Sequence, residues 1–162
     1  MTRIRVPGAK ARRAYTLLEI LLVLALIALL MGAAVPLVSG FSREQKLRDV
    51  VRELLIMAKT ARTDAATTGH PSEVIFGKKA FALRRSGEKE PSLTSPLPSG
   101  MSYTLRAFGA EKPLKPDGQR WVFQPSGLCE PITVRVADGE AWMEVRFDPL
   151  TAGIAEESFY AP

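Results

Sequence analysis

Between Leu17 and Val35 the only strongly polar side chain is Glu19, and residues 20–30 are entirely Ile, Leu, Val and Ala. No other feature restricts the chain as much. A helix of about 20 apolar residues crosses the ~30 Å hydrocarbon layer of a bilayer, whereas the core of a cleaved secretory signal needs about 7 to 15. The run is therefore read as a membrane anchor, and its acid is the anomaly. An ionised carboxylate in a membrane helix costs on the order of 2.5–3.5 kcal/mol and is expected to find a partner.

The charge balance explains the orientation. Arg3, Arg5, Lys10, Arg12 and Arg13 precede the run without an acid among them, and they account for the whole net charge of +5, since 22 Lys and Arg face 17 Asp and Glu. Positive charge before an apolar segment favours keeping that end in the cytoplasm and passing the rest outward, so residues 70–162 are expected in the periplasm. The body after the leader is close to neutral, which weakens any nucleic-acid reading of the basic total. Cys129 and His70 are each the only residue of their kind, so no intramolecular disulfide is possible and a zinc site has little support.

Ahead of the run stands Ala14, a small residue after two arginines, followed by Tyr15-Thr16-Leu17-Leu18-Glu19. No small-x-small cleavage site follows the run. This pattern resembles the class III signal of type IV pilin-like proteins: basic leader, small residue, aromatic residue, Thr, two aliphatics, Glu and an apolar helix. It differs in having Ala14 and Tyr15 where the family most often has Gly and Phe. The resemblance implies that a prepilin peptidase cuts between Ala14 and Tyr15 and that the new α-amine of Tyr15 is methylated. It further implies that Glu19 meets the N-terminal amine of a neighbouring subunit in a filament.

Beyond the run, Pro36 is expected to kink the helix rather than stop it. Leu47, Val51, Leu54, Leu55, Ala58, Ala61 and Ala65 recur at helical spacing with charged residues between them, so this half should lie on a folded domain. Thr68-Gly69-His70-Pro71 ends it. From there the period becomes two. Residues 73–76 and 80–84 read as a hairpin, 86–100 as a loop or loosely held edge, and 101–108 and 119–124 as strands. The clearest hairpin joins Ile132, Val134 and Val136 to Met143, Val145 and Phe147 through Asp138-Gly139. The expected organisation is a leader at 1–14, a transmembrane helix at 15–36, its amphipathic continuation at 37–69 and an antiparallel β domain at 70–162. The fold class is α+β and pilin-like.

"FQPSGLCEPITVRV" and "VRFDPLTAGI" add detail. Phe123, Pro125 and Gly127 before a strand, and Leu150, Thr151 and Gly153 after the last one, resemble H-type minor pseudopilins of type II secretion systems and their relatives among minor type IV pilins. Gly127 and Gly153 are read as turn residues on their own account. The resemblance implies a subunit of a periplasmic pseudopilus, near its tip, that supports export of folded proteins across the outer membrane. Its implied partners are other pseudopilins or pilins, the prepilin peptidase, inner-membrane lipid and the secreted substrate.

No catalytic set is expected. Ser39 and Ser126 lie outside any nucleophile elbow, His70 sits at a helix end, and Glu88, Glu90, Glu156 and Glu157 read as solvated loop and tail charges. Asp117, Asp138 and Asp148 are turn residues rather than a calcium cluster, so neither metal nor cofactor is expected. Two alternatives stay open: a minor type IV pilin for pilus assembly or DNA uptake, and a signal-anchored periplasmic binding domain. DNA capture would need a basic contact surface. Residues 155–162 contain two acids and no base, leaving only a small set in Arg106, Lys112 and Lys115.

Overall fold

The computed structural model describes residues 16–162, apart from the side chains of residues 32–42. One helix, α1 (Leu17–Thr68), is followed by eight strands. These are β1 (Ser72–Phe76), β2 (Ala80–Arg85), β3 (Leu93–Pro96), β4 (Met101–Ala107), β5 (Gln119–Phe123), β6 (Ile132–Asp138), β7 (Ala141–Phe147) and β8 (Ile154–Tyr160). The chain divides into two compact units, Met1–Ser39 and Gly40–Pro162.

In the first unit Leu17, Leu18, Ile20, Leu21, Leu22 and Leu24 are all largely exposed, so apolar side chains point to every side of the helix. A helix of that character calls for an apolar surrounding other than its own side chains. Among the described residues no helix is long and apolar enough to cross a membrane. In the sequence the run continues past Met31 to Val35. Pro36 lies within the helix assignment but among the residues whose side chains are not described, so the expected kink falls outside the described residues.

In the second unit α1 buries a stripe of Leu47, Val50, Val51, Leu54, Met57, Ala58, Ala61 and Ala65. Steps of three and four residues keep these on one face. Val50 and Met57 join the positions expected from the sequence, and Leu55 lies at the margin. Gly69 closes the helix by donating its N–H to Ala65 C=O at 3.1 Å.

The strands form two four-stranded antiparallel sheets, ordered β3-β2-β1-β5 and β4-β6-β7-β8. Alternating residues supply each inner face, Val74, Phe76, Phe81, Leu83, Trp121 and Phe123 from one sheet and Tyr103, Leu105, Val134, Val136, Met143, Val145 and Phe147 from the other. Together with the helix stripe they make one core. Two aromatic clusters join the sheets. Phe76 and Phe81 pack on Tyr103 of β4, whose hydroxyl donates to Gly77 C=O in the β1–β2 turn. Trp121 of β5 packs on Phe147 of β7, with centroids 4.9 Å apart. The sequence pattern points to one antiparallel domain without dividing its strands between sheets, because alternation reports that a residue faces inward and not which sheet carries it.

Both expected hairpins form, with Phe76 opposite Phe81 and Asp138 opposite Ala141. The 86–100 stretch is indeed a loose edge, holding only the exposed strand β3. The sequence reading ended the strands at Phe147 and treated Glu156 and Glu157 as tail charges. Instead they lie in β8, which pairs antiparallel with β7 over Trp142 to Phe147. β8 has no apolar alternation to betray it, since only Ile154 and Phe159 are half-buried. It is held by its ladder and by ion pairs from Glu156 to Arg146 and from Glu157 to Arg48 on α1.

Gly127 ties the strand region to the helix. It closes the turn Gln124-Pro125-Ser126-Gly127 by donating to Gln124 C=O at 2.8 Å, with φ at +80°. Its own carbonyl accepts the Arg62 Nε–H at 3.0 Å. A Cβ at this position would sit 3.4 Å from the Arg62 guanidinium, whereas one at Gly109, with φ at +75°, would meet nothing within 4 Å. Gly109→Ala should therefore show the left-handed backbone cost alone, about 1–2 kcal/mol. Gly127→Ala, whose Cβ would make only ordinary contact with Arg62, should cost about the same. Urea unfolding midpoints of residues 40–162 compare the two, and a markedly larger loss at Gly127 would show that the added methyl group disturbs the Arg62 bond.

Candidate functional site

The first described turn of α1 is built around Thr16 and Glu19. Thr16 C=O accepts the N–H groups of Glu19 and Ile20 at 3.0 and 3.3 Å, while its side-chain oxygen accepts the Glu19 N–H at 3.3 Å. Thr16 is thus the N-cap, and Glu19 stands three residues on, where a carboxylate complements both the free N–H groups and the positive end of the helix dipole. Glu19 is exposed. Its carboxylate has no partner among the described residues, and the side chains around it, Leu17, Leu18, Ile20 and Leu21, are apolar and uncovered. A charged group on such a tip is available to a cation brought by another chain.

Thr16, quoted above only as part of the signal pattern, takes a structural role as the cap. The signal for it was present: Thr16-Leu17-Leu18-Glu19 has the S/T-x-x-E spacing of a capping box directly before an apolar run. Ala14 and Tyr15, the expected cleavage and methylation positions, lie outside the described residues.

The other residues singled out from the sequence fall into structural roles. His70 Nδ1 lies 2.9 Å from Thr68 C=O at the helix end. Ser126 is exposed in the turn before Gly127, and the Ser39 side chain is outside the description. Glu88 faces Arg85 at 3.8 Å. Arg106, which with Lys112 and Lys115 makes up the small basic set noted in the sequence, is engaged by Glu144 at 2.9 Å. Among the described residues no group of His, Cys, Asp and Glu could hold a metal ion.

The two loops carrying the finer resemblance are fastened to each other. Cys129 donates its N–H to Pro149 C=O at 3.0 Å, and its buried thiol is pushed up to about 11, chiefly by desolvation. Trp121 Nε1–H donates to Glu130 C=O at 2.8 Å. In the second loop Asp148 Oδ1 accepts the N–H groups of Leu150 and Thr151 at 2.9 and 2.8 Å and the Thr151 hydroxyl at 3.0 Å. Gly153, read as a turn residue, lies in the bend before β8. The residue with positive φ there is Ala152, at +53° and fully buried. Gly153 is needed for close approach, since a Cβ there would lie 3.1 Å from Thr151 Oγ1, which accepts the Gly153 N–H.

Residues 9–35 match the family profile described as the prokaryotic N-terminal methylation motif. That match spans the basic residues ahead of Ala14, Glu19 and the apolar run to Val35. Two solved structures of the minor pseudopilin EpsH from the type 2 secretion system of Vibrio cholerae are similar to this chain. One is 11% identical with a TM-score of 0.48, covering 72% of this chain and 98% of its own. The other is 12% identical with a TM-score of 0.47, covering 73% and 97%. No curated protein sequence matches the chain.

The Asp148 loop makes a prediction about acid stability. Hydrogen bonds from Thr151 and Leu150 hold the Asp148 carboxyl below its ordinary value of 3.8. A folded pKa below the unfolded one contributes stability that is present above the unfolded value and lost as pH falls through the folded one. Urea midpoints of residues 40–162, taken from about pH 5 to about pH 2, should fall in that window. Asp148→Asn, which keeps an acceptor oxygen but cannot titrate, should have a shallower fall. An unchanged acid profile would refute the assignment.

Proposed function

We propose that this chain is a minor pseudopilin of a type II secretion system. In this reading the leader is removed between Ala14 and Tyr15, Tyr15 is methylated, and residues 15–36 hold the subunit in the inner membrane with the β domain in the periplasm. The chain then enters a short filament, near its tip, that supports export of folded proteins across the outer membrane. Its partners are other pseudopilins or pilins, the prepilin peptidase and inner-membrane lipid, with the secreted protein as a further contact.

The observation that carries this reading is Glu19, exposed on the first turn of an apolar helix inside a matched methylation motif. Cutting before Tyr15 would create a cation four residues from this acid, and a neighbouring subunit's amine would neutralise it in lipid, where an unpaired charge is costly. A secretion role is preferred over a DNA-binding pilin because the excess positive charge lies in the leader. Arg106, in the small basic set with Lys112 and Lys115, is also already paired with Glu144 rather than free for phosphate.

Three measurements test the reading. Mass spectrometry of the protein extracted from membranes of cells containing the peptidase should find a mature chain beginning at N-methylated Tyr15; any other N-terminus sinks it. Glu19→Ala should insert into membranes as the parent does, yet be recovered in sheared filaments at roughly a tenth of the parent level, a loss equivalent to about 1.4 kcal/mol. Unchanged recovery would count against the pairing. Loss of secretion without loss of surface piliation on deletion distinguishes a pseudopilin from a type IV pilin.

A further inference from the structure

Two of the four sheet edges are bridged by the chain itself, and a third is too short to offer a long ladder. β3 is only four residues long and ends in Pro96. β4 is bridged by Leu114, which exchanges backbone hydrogen bonds with Leu105 at 2.6 and 3.3 Å. β5 is covered by its return turn, where Phe123 bridges Cys129 and Gln124 donates to Leu128 C=O at 2.8 Å. The fourth edge is β8, seven residues long with no proline inside it. Among the described residues nothing pairs with its outer side. A long open edge is a template for another strand, and proteins that leave one open must select what adds to it.

The side chains of β8 make that selection. From Phe147 to the end of the chain there is no Lys or Arg, while Glu156 and Glu157 sit in mid-strand. Glu156 meets Arg146 and Glu157 meets Arg48, each through Oε1 only, so among the described residues both Oε2 atoms are left without a partner. At the end of the strand Tyr160 stacks with Trp142, their centroids 6.0 Å apart, and the Arg135 guanidinium covers the Trp142 ring at 4.1 Å. A second copy is a poor occupant. Antiparallel pairing of β8 with itself about its middle residue sets Glu157 against Glu157, and like charges directly opposite are destabilising.

We propose that β8 is a docking edge for an extended segment of a partner protein that carries two adjacent basic residues. Added antiparallel as a fifth strand, the segment places one base against Glu157 and the next against Glu156, on opposite faces. Two and three residues earlier it sets β-branched or aromatic side chains beside Phe159 and Tyr160. The backbone supplies the affinity and the paired acids supply the choice of partner. The proposal stands on the second unit alone and is independent of how the leader is processed.

Amide hydrogen exchange of the full chain in detergent, with the peptide Tyr-Val-Thr-Lys-Lys-Thr-Val as probe, tests it. Exchange across residues 154–160 should slow by roughly tenfold at saturating peptide, with β3 unaffected. The same peptide with Glu-Glu for Lys-Lys, or with alternate backbone amides N-methylated, should give no protection. The double variant Glu156→Lys/Glu157→Lys should invert the preference toward the Glu-Glu peptide. Absence of protection at β8, equal protection by the N-methylated peptide, or protection located at β3 would overturn the docking edge. An unaltered preference in the double variant would overturn its charge selectivity.

Discussion

The stripe from Leu47 to Ala65 joins the inward residues of both sheets in a single core, and the body of the protein depends on it. Fully burying a Leu, Val or Met side chain contributes about 1.5–3 kcal/mol each, and here those side chains meet both inner faces in one core. Ala58, Ala61 and Ala65 are fully buried, so the end of the stripe offers neighbouring side chains little bulk. Around this helix the sheets need few polar fastenings. The ion pair of Arg48 and Glu157, with side chains 45% and 36% exposed, adds little by comparison.

Most of the fold was legible because burial leaves a period in the sequence. Leu47, Leu54 and Ala61 mark the helix face, and Val134, Val136, Met143 and Val145 mark the best hairpin. Where burial does not decide, the sequence was silent. β8 carries an acid on each face and owes its place chiefly to its ladder with β7, which no local pattern records. The division into two sheets depends on Tyr103 and Trp121 reaching across to elements distant in the chain. Ala152 hid for a different reason: glycine is the usual marker of left-handed backbone, and here a buried methyl group and the Asp148 cap hold an alanine in that conformation.

The candidate site was legible in proportion to how local its chemistry is. Glu19 announces itself as the one acid among apolar residues, and Thr16 was readable three positions earlier by the same kind of spacing rule. The loops at Gly127 and Asp148 were recognisable as turns, but not as parts of one structure, since Cys129, Pro149 and Arg62 join them only in three dimensions. The chain thus keeps its electrostatic feature at one end, in a few consecutive residues, and its precise loop geometry in the folded body.

Thr16 also alters what Glu19 must give up. The carboxylate already faces the positive pole of its own helix, an attraction worth about 0.3–1 kcal/mol at exposed sites. Under the proposed processing a second positive charge appears at Tyr15, next to the cap and on the same tip. A free subunit would then hold its acid in a small internal charge balance, and joining a filament would exchange that balance for one between chains. Under that proposal the force favouring association is the difference between two electrostatic partners, so a modest change in the surroundings of the tip shifts the exchange in either direction.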